Sequence, residues 1–139
     1  MNMPPYPVTT AATTVAIAVL QTGLMLYVGL GRTQTATGLG DGDDEGLRRR
    51  IRMHGNLAEN SALFLVLLLL LELTGDWTRA VPVIGAAFVL ARLAHPIGLH
   101  RSSGASVLRL IGVSGTAVAF LCAAGMLGLS VVTSLGTHG

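Results

Sequence analysis

Four long stretches of the chain are almost free of charge, and the polar residues collect between them. From Val8 to Gly31 the one ionisable side chain is Tyr27. Leu57 to Leu71 is nearly pure Ala, Leu, Val and Phe, interrupted by Glu59, Asn60 and Ser61. Ala80 to Leu99 is apolar apart from Arg92 and His95, and Leu110 to Leu135 carries no charge. A helix needs about 20 residues, at about 1.5 Å each, to cross about 30 Å of hydrocarbon, so each run is long enough, given an extra turn for the second. Apolar residues surround each predicted helix instead of forming one stripe, which points to lipid as the solvent. The expected architecture is all-α, an integral membrane four-helix bundle. It forms one domain over residues 1–139, with spans at about 8–31, 56–74, 79–99 and 108–135.

The connections support hairpins. Thr74-Gly75-Asp76 joins the second and third spans, followed by Trp77, a residue suited to the membrane interface. His100 to Ser106, containing Ser102-Ser103-Gly104, joins the third and fourth. Arg32 to Asp44 is rich in Gly, Thr and Asp and reads as an exposed loop. The first span is expected to stay as an anchor, because Met1 to Val8 has no Arg or Lys and the run is too long for a signal-peptide core. Arginines set the orientation. Arg32, Arg48, Arg49, Arg50 and Arg52 precede or open the second span, and Arg101 and Arg109 lie on the same side, against Arg79 alone on the other. The positive-inside rule then puts both Arg-bearing connections in the cytoplasm and both termini on the non-cytoplasmic side.

Charged residues are 12% of the chain, about half the ~25% of a soluble domain, and apolar residues are 51%, which excludes a disordered chain and a nucleic-acid arm. No aromatic is interleaved with the arginines, so no nucleic-acid partner is expected. The single cysteine, Cys122, excludes a disulfide framework and a multi-cysteine zinc site, and is expected to be a buried, inert thiol. No metal is expected: Asp41-Gly42-Asp43-Asp44-Glu45 opens like a calcium loop, but the twelfth position is Arg52. A solvated turn and a helix cap near Asp44 fit those acids better. Gly115, Ala119 and Ala123, like Ala87 and Ala91, recur every fourth residue and are expected to be helix-packing faces. His54 and His95 are each expected to orient their helix by a hydrogen bond, and Gln21 to bond a neighbouring helix. Arg48 and Arg50 are candidates for contact with anionic lipid.

The polar residues inside the spans carry the candidate chemistry. Arg49, Arg52, Asn56 and Glu59 share one face of the second helix. A carboxylate such as Glu59 inside the hydrocarbon is costly unless it is paired or sits in a wet cavity. Reflection through the turn at Gly75-Asp76 puts Arg92 within about 3 Å of its depth, so an ion pair between them is expected, directly or across subunits. Together with His54, His95 and Arg109, these residues form a mostly cationic cluster at the inner membrane edge. Guanidinium forks grip carboxylates and stabilise a developing thiolate, while lipid can deliver an apolar co-substrate to the same place.

Arg49-Arg50-Ile51-Arg52-Met53-His54-Gly55-Asn56-Leu57-Ala58-Glu59-Asn60 resembles the Arg-x-x-Arg-x-His-x-Asn-x-x-Glu signature of the MAPEG family, the membrane-associated proteins of eicosanoid and glutathione metabolism. Arg92-Leu93-Ala94-His95 resembles the Arg-x-x-His segment of its third helix. The resemblance implies a homotrimer with glutathione held between subunits and facing the cytosol. Arg52, Asn56, Glu59 and Arg92 would contact it, and Arg109 would stabilise the thiolate; Arg49 and His95, members of the same cationic cluster, are expected to complete the binding set. Leu99 stands near the place where several family enzymes have a tyrosine, and Arg109-Leu110 lacks the Arg-Ser pair of the prostaglandin-forming members.

The expected function is a membrane-embedded, glutathione-dependent transferase or peroxidase. It would join glutathione, the co-substrate, to hydrophobic electrophiles or reduce lipid hydroperoxides. The alternative is a non-catalytic protein of the same fold that binds membrane lipid or presents a partner. An ion-conducting bundle is disfavoured because the outer halves of the spans lack a polar path. Nine arginines without a lysine suit a GC-rich bacterial genome and hence a bacterial inner membrane.

Overall fold

The computed structural model describes residues 6–101 and 106–137, so the first five residues and the Ser102-Ser103-Gly104 turn lie outside the described residues. Four helices follow one another: α1 (Val8–Thr35), α2 (Glu45–Thr74), α3 (Ala80–Arg101) and α4 (Val107–Thr137). All four are long and apolar enough to cross a membrane, and no strand occurs among the described residues. Large apolar side chains such as Val19, Leu63, Leu90 and Leu121 face outward on every helix. In water such a surface would aggregate; in lipid it needs no cover.

Helices α2 and α3 each touch three helices, whereas α1 and α4 do not touch each other. The α2–α3 hairpin is therefore the centre, with α1 on one side and α4 on the other. Three phenylalanines hold the middle. Phe64 of α2 stacks on Phe88 of α3 with ring centroids 3.7 Å apart, and Phe120 of α4 meets Phe64 edge-on at 5.5 Å. Ile17 of α1 and Ala119 and Ala123 of α4 close the same cluster. The expected small-residue packing is thus found at Ala91, Gly115, Ala119 and Ala123, and a Cβ on Gly115 would stand 3.1 Å from that of Ala91. Ala87 faces outward from the chain. Cys122 corrects the sequence reading: it is exposed, because Ala119 and Ala123 take the inward face of α4 and turn its thiol toward the surroundings of the bundle.

Local chemistry ends the helices where the sequence indicates. Asp44 caps α2 by accepting from Leu47 N at 2.6 Å, and Gly75 closes it in the left-handed region at φ +75°, a backbone conformation that strains any residue with a side chain. Ser106 Oγ accepts from Arg109 N at the start of α4. In the long loop, Arg48 donates to Asp41, which holds the Asp41 carboxyl below its usual range, and Arg32 donates to the Gly40 carbonyl at 3.0 Å. Trp77 Nε1 donates to Ser130 Oγ at 2.9 Å, tying the α2–α3 turn to α4.

One long-range cap escaped the sequence reading. Glu72, near the end of α2, accepts from Thr9 N at 2.8 Å and Thr10 N at 2.7 Å, meeting two orphan donors at the start of α1. Glu72→Ala is expected to cost about 1–2 kcal/mol. Thermal unfolding in detergent would register the loss, while ligand binding at the opposite end of the bundle stays unchanged.

Candidate functional site

Because α2 is helical from Glu45, residues 45, 49, 52 and 56 fall along one side of it. His95 and Leu99 are one turn apart on α3, as are Arg109 and Val113 on α4. These stripes converge on a cavity of about 510 Å³ at the arginine-rich end of the bundle, with Arg48 also in its wall. A volume of that order suits a small molecule. Four arginines line it against one carboxylate, Glu45. The sign of the site is positive.

Arg92 lies beneath the cavity, only 2% exposed. Its Nη1 donates to Asn56 Oδ1 at 2.8 Å, and its Nη2 donates to the Gly112 carbonyl at 2.9 Å, so one guanidinium ties α2, α3 and α4 together. Asn60 Nδ2 donates to the Asn56 carbonyl at 2.7 Å. With Oδ1 committed to Arg92, Asn56 keeps its Nδ2 donors for whatever enters the cavity.

Close backbone approach makes this geometry possible. A Cβ on Gly112 would lie 2.7 Å from His95 Cβ and 2.9 Å from His95 N, and one on Gly98 would lie 2.8 Å from Arg109 N. These glycines bring α3 and α4 near enough for His95 and Arg109 to share one wall. Across the bundle, Gln21 Nε2 donates to His54 Nε2 at 2.7 Å, so the α1–α2 contact expected of both residues is present.

Five of the sequence-derived candidates, Arg49, Arg52, Asn56, His95 and Arg109, therefore line one cavity, and Arg92 touches it through Asn56. Glu59 does not join them. It is exposed, and among the described residues no ion pair links it to Arg92, whose partners are Asn56 and Gly112. The direct pairing within one chain is thus corrected: Arg92 meets the residue three positions earlier on α2. His95, 6% exposed, is held by packing on Gly112 and makes no side-chain hydrogen bond among the described residues, contrary to the anchoring role expected of it. Glu45, Arg48 and Val113 were missed as lining residues, although each lies four residues from a candidate. No cluster of potential metal ligands occurs among the described residues.

Four membrane-spanning helices with an arginine-lined cavity at one end define a multi-pass membrane protein. A model of the MAPEG family matches residues 10–132, and the chain belongs to that family. It is similar to the inner membrane protein YecN of Escherichia coli K12, with 36% identity over 69 residues, which cover 50% of this chain and 53% of that protein. YecN of Escherichia coli O6:H1 strain CFT073 matches to the same extent. The match thus spans about half the length of these curated relatives. With its four apolar spans and these relatives, the chain is a multi-pass inner membrane protein.

Proposed function

We propose that the cavity binds glutathione, or a low-molecular-weight thiol of the same anionic class, and presents its sulfur to hydrophobic electrophiles or hydroperoxides arriving from the bilayer. The observation that carries this reading is the convergence of Arg48, Arg49, Arg52 and Arg109 on one cavity whose wall includes Asn56, held from below by the buried Arg92. Guanidiniums at the wall bind the thiol's carboxylates, and the Asn56 amide donates to a peptide carbonyl. Arg109 stabilises the thiolate, which is the nucleophile. A C–S bond then forms as the leaving group departs with its electron pair and the thiol proton passes to water. With a hydroperoxide, two thiols supply two electrons, giving a disulfide, an alcohol and water.

The homotrimer follows from the same reading. Glu59 lies about 4.5 Å deeper than Asn56 along α2 and is exposed on the isolated chain. A bare carboxylate at that depth is costly, and a second copy covering this face of α2 would supply its partner and close the site. Leu99 in the cavity wall supports the second reading, a non-catalytic lipid binder, because it brings an apolar side chain where several family enzymes have tyrosine.

Calorimetric titration of the detergent-solubilised protein with glutathione tests the proposal. Saturable binding is expected, weakened about 10- to 100-fold by Glu59→Gln, the worth of one hydrogen bond to a charged group. Turnover of a chloronitrobenzene electrophile separates the two readings. Absence of binding to the folded trimer would remove the thiol site altogether.

A further inference from the structure

A second recess lies at the same arginine-rich end, on the α1 side of the central hairpin and away from the thiol cavity. Its volume is about 390 Å³. Leu20 and Leu24 of α1 and Leu93 and Ile97 of α3 form its walls, and Tyr27, His100 and Arg101 form its polar end. From Leu20 to Tyr27, as from Leu93 to His100, the rise is about 10 Å, so the recess is a short groove along the helices, apolar below and cationic above.

The polar end is organised. Tyr27 Oη and His100 Nδ1 are 3.3 Å apart, and the Arg50 guanidinium lies over the Tyr27 ring at 4.3 Å while Nη1 reaches the Tyr27 carbonyl at 3.4 Å. Among the described residues, no carboxylate pairs with Arg50, His100 or Arg101. The C-terminal dipole of α3 contributes about half a negative charge there, too little to offset two arginines. The polar end of the groove therefore carries net positive charge.

We propose that this groove binds one anionic phospholipid, its phosphate against His100 and Arg101 and the first part of one acyl chain along Leu24 and Ile97. Charge complementarity and the membrane setting choose this occupant. Basic recesses between transmembrane helices seat anionic headgroups, and a phosphate held by an arginine beside a histidine and a chain held by apolar side chains are the two halves of one such molecule. Free phosphate would leave the apolar wall unused, and a choline headgroup would set a cation beside Arg101. The proposal is independent of the thiol site, since none of these residues lines that cavity.

Native mass spectrometry of the detergent-purified protein, offered dioleoyl phosphatidylglycerol or dioleoyl phosphatidylcholine, reads the result. Wild type is expected to retain the glycerol lipid preferentially, and Arg101→Gln to weaken that retention about five-fold, with a further loss on adding His100→Gln. Both residues are exposed, so the variants are expected to fold, and unchanged circular dichroism and glutathione binding would show it. Equal retention of the two lipids, or identical behaviour of wild type and double variant, overturns the proposal. So does displacement of the lipid by millimolar inorganic phosphate alone. Disulfide cross-linking between copies through Ile97→Cys, in a Cys122→Ala background, would show a second protein copy in the groove and overturn it equally.

Discussion

Replacing Arg92 with alanine is expected to lower stability by about 2–4 kcal/mol and to abolish thiol binding together. The guanidinium is almost wholly buried and serves acceptors on two other helices, Asn56 Oδ1 of α2 and the Gly112 carbonyl of α4. Truncation takes the donor from Asn56 Oδ1, leaves the Gly112 carbonyl with Thr116 Oγ1 as its side-chain donor, and opens a void beneath the cavity floor. Asn56 also loses the bond that directs its amide. Arg92→Lys separates support from positioning: an ammonium keeps the charge but not the flat fork, so partial recovery of stability without recovery of binding is expected. Thermal unfolding and titration on the same preparations decide it. An Arg92→Ala protein with wild-type affinity would show that Asn56 needs no such anchor.

The second large effect is expected at Gly112. Valine there would drive its Cβ into the His95 backbone, and backbone cannot rotate out of the way as a long side chain can. The expected cost is about 1–3 kcal/mol, and α3 and α4 must separate to relieve it. His95 and Arg109 would then no longer face one cavity. Gly125, farther along α4, has open space where its Cβ would go, so Gly125→Ala is expected to be neutral or to stabilise by about 0.5–1 kcal/mol. Comparing the two variants by unfolding temperature and thiol titration distinguishes close packing from general glycine chemistry. Equal behaviour would mean that the α3–α4 contact does not position the site.

Much of the site was legible because it repeats at helical spacing. Arg49, Arg52 and Asn56 reach one cavity because their helix has already begun at Glu45, and Asp44 before the run marks that start. The same rule extended one turn upstream reaches Glu45, and one turn beyond His95 and Arg109 it reaches Leu99 and Val113. The direct pairing of Glu59 with Arg92 within one chain failed for a definite reason. Reflection through a hairpin turn gives depth along the axis to within a turn, but it says nothing about rotation about that axis. Asn56 and Glu59 differ by about 4.5 Å in height and 60° around the helix, enough to put one against Arg92 and the other on the outside.

Four spans and the charge of the arginine-rich end were determined by the chain's composition pattern alone, because solvation of an apolar helix by lipid is a local property of about 20 consecutive residues. Which side chains meet was decided only in three dimensions. Arg92 reaching two helices, Glu72 capping a helix some sixty residues away, and Cys122 turning outward depend on helix rotation and on a glycine contact between α3 and α4. Such contacts join residues far apart in the chain, and the azimuth that selects them is set by packing rather than by hydropathy.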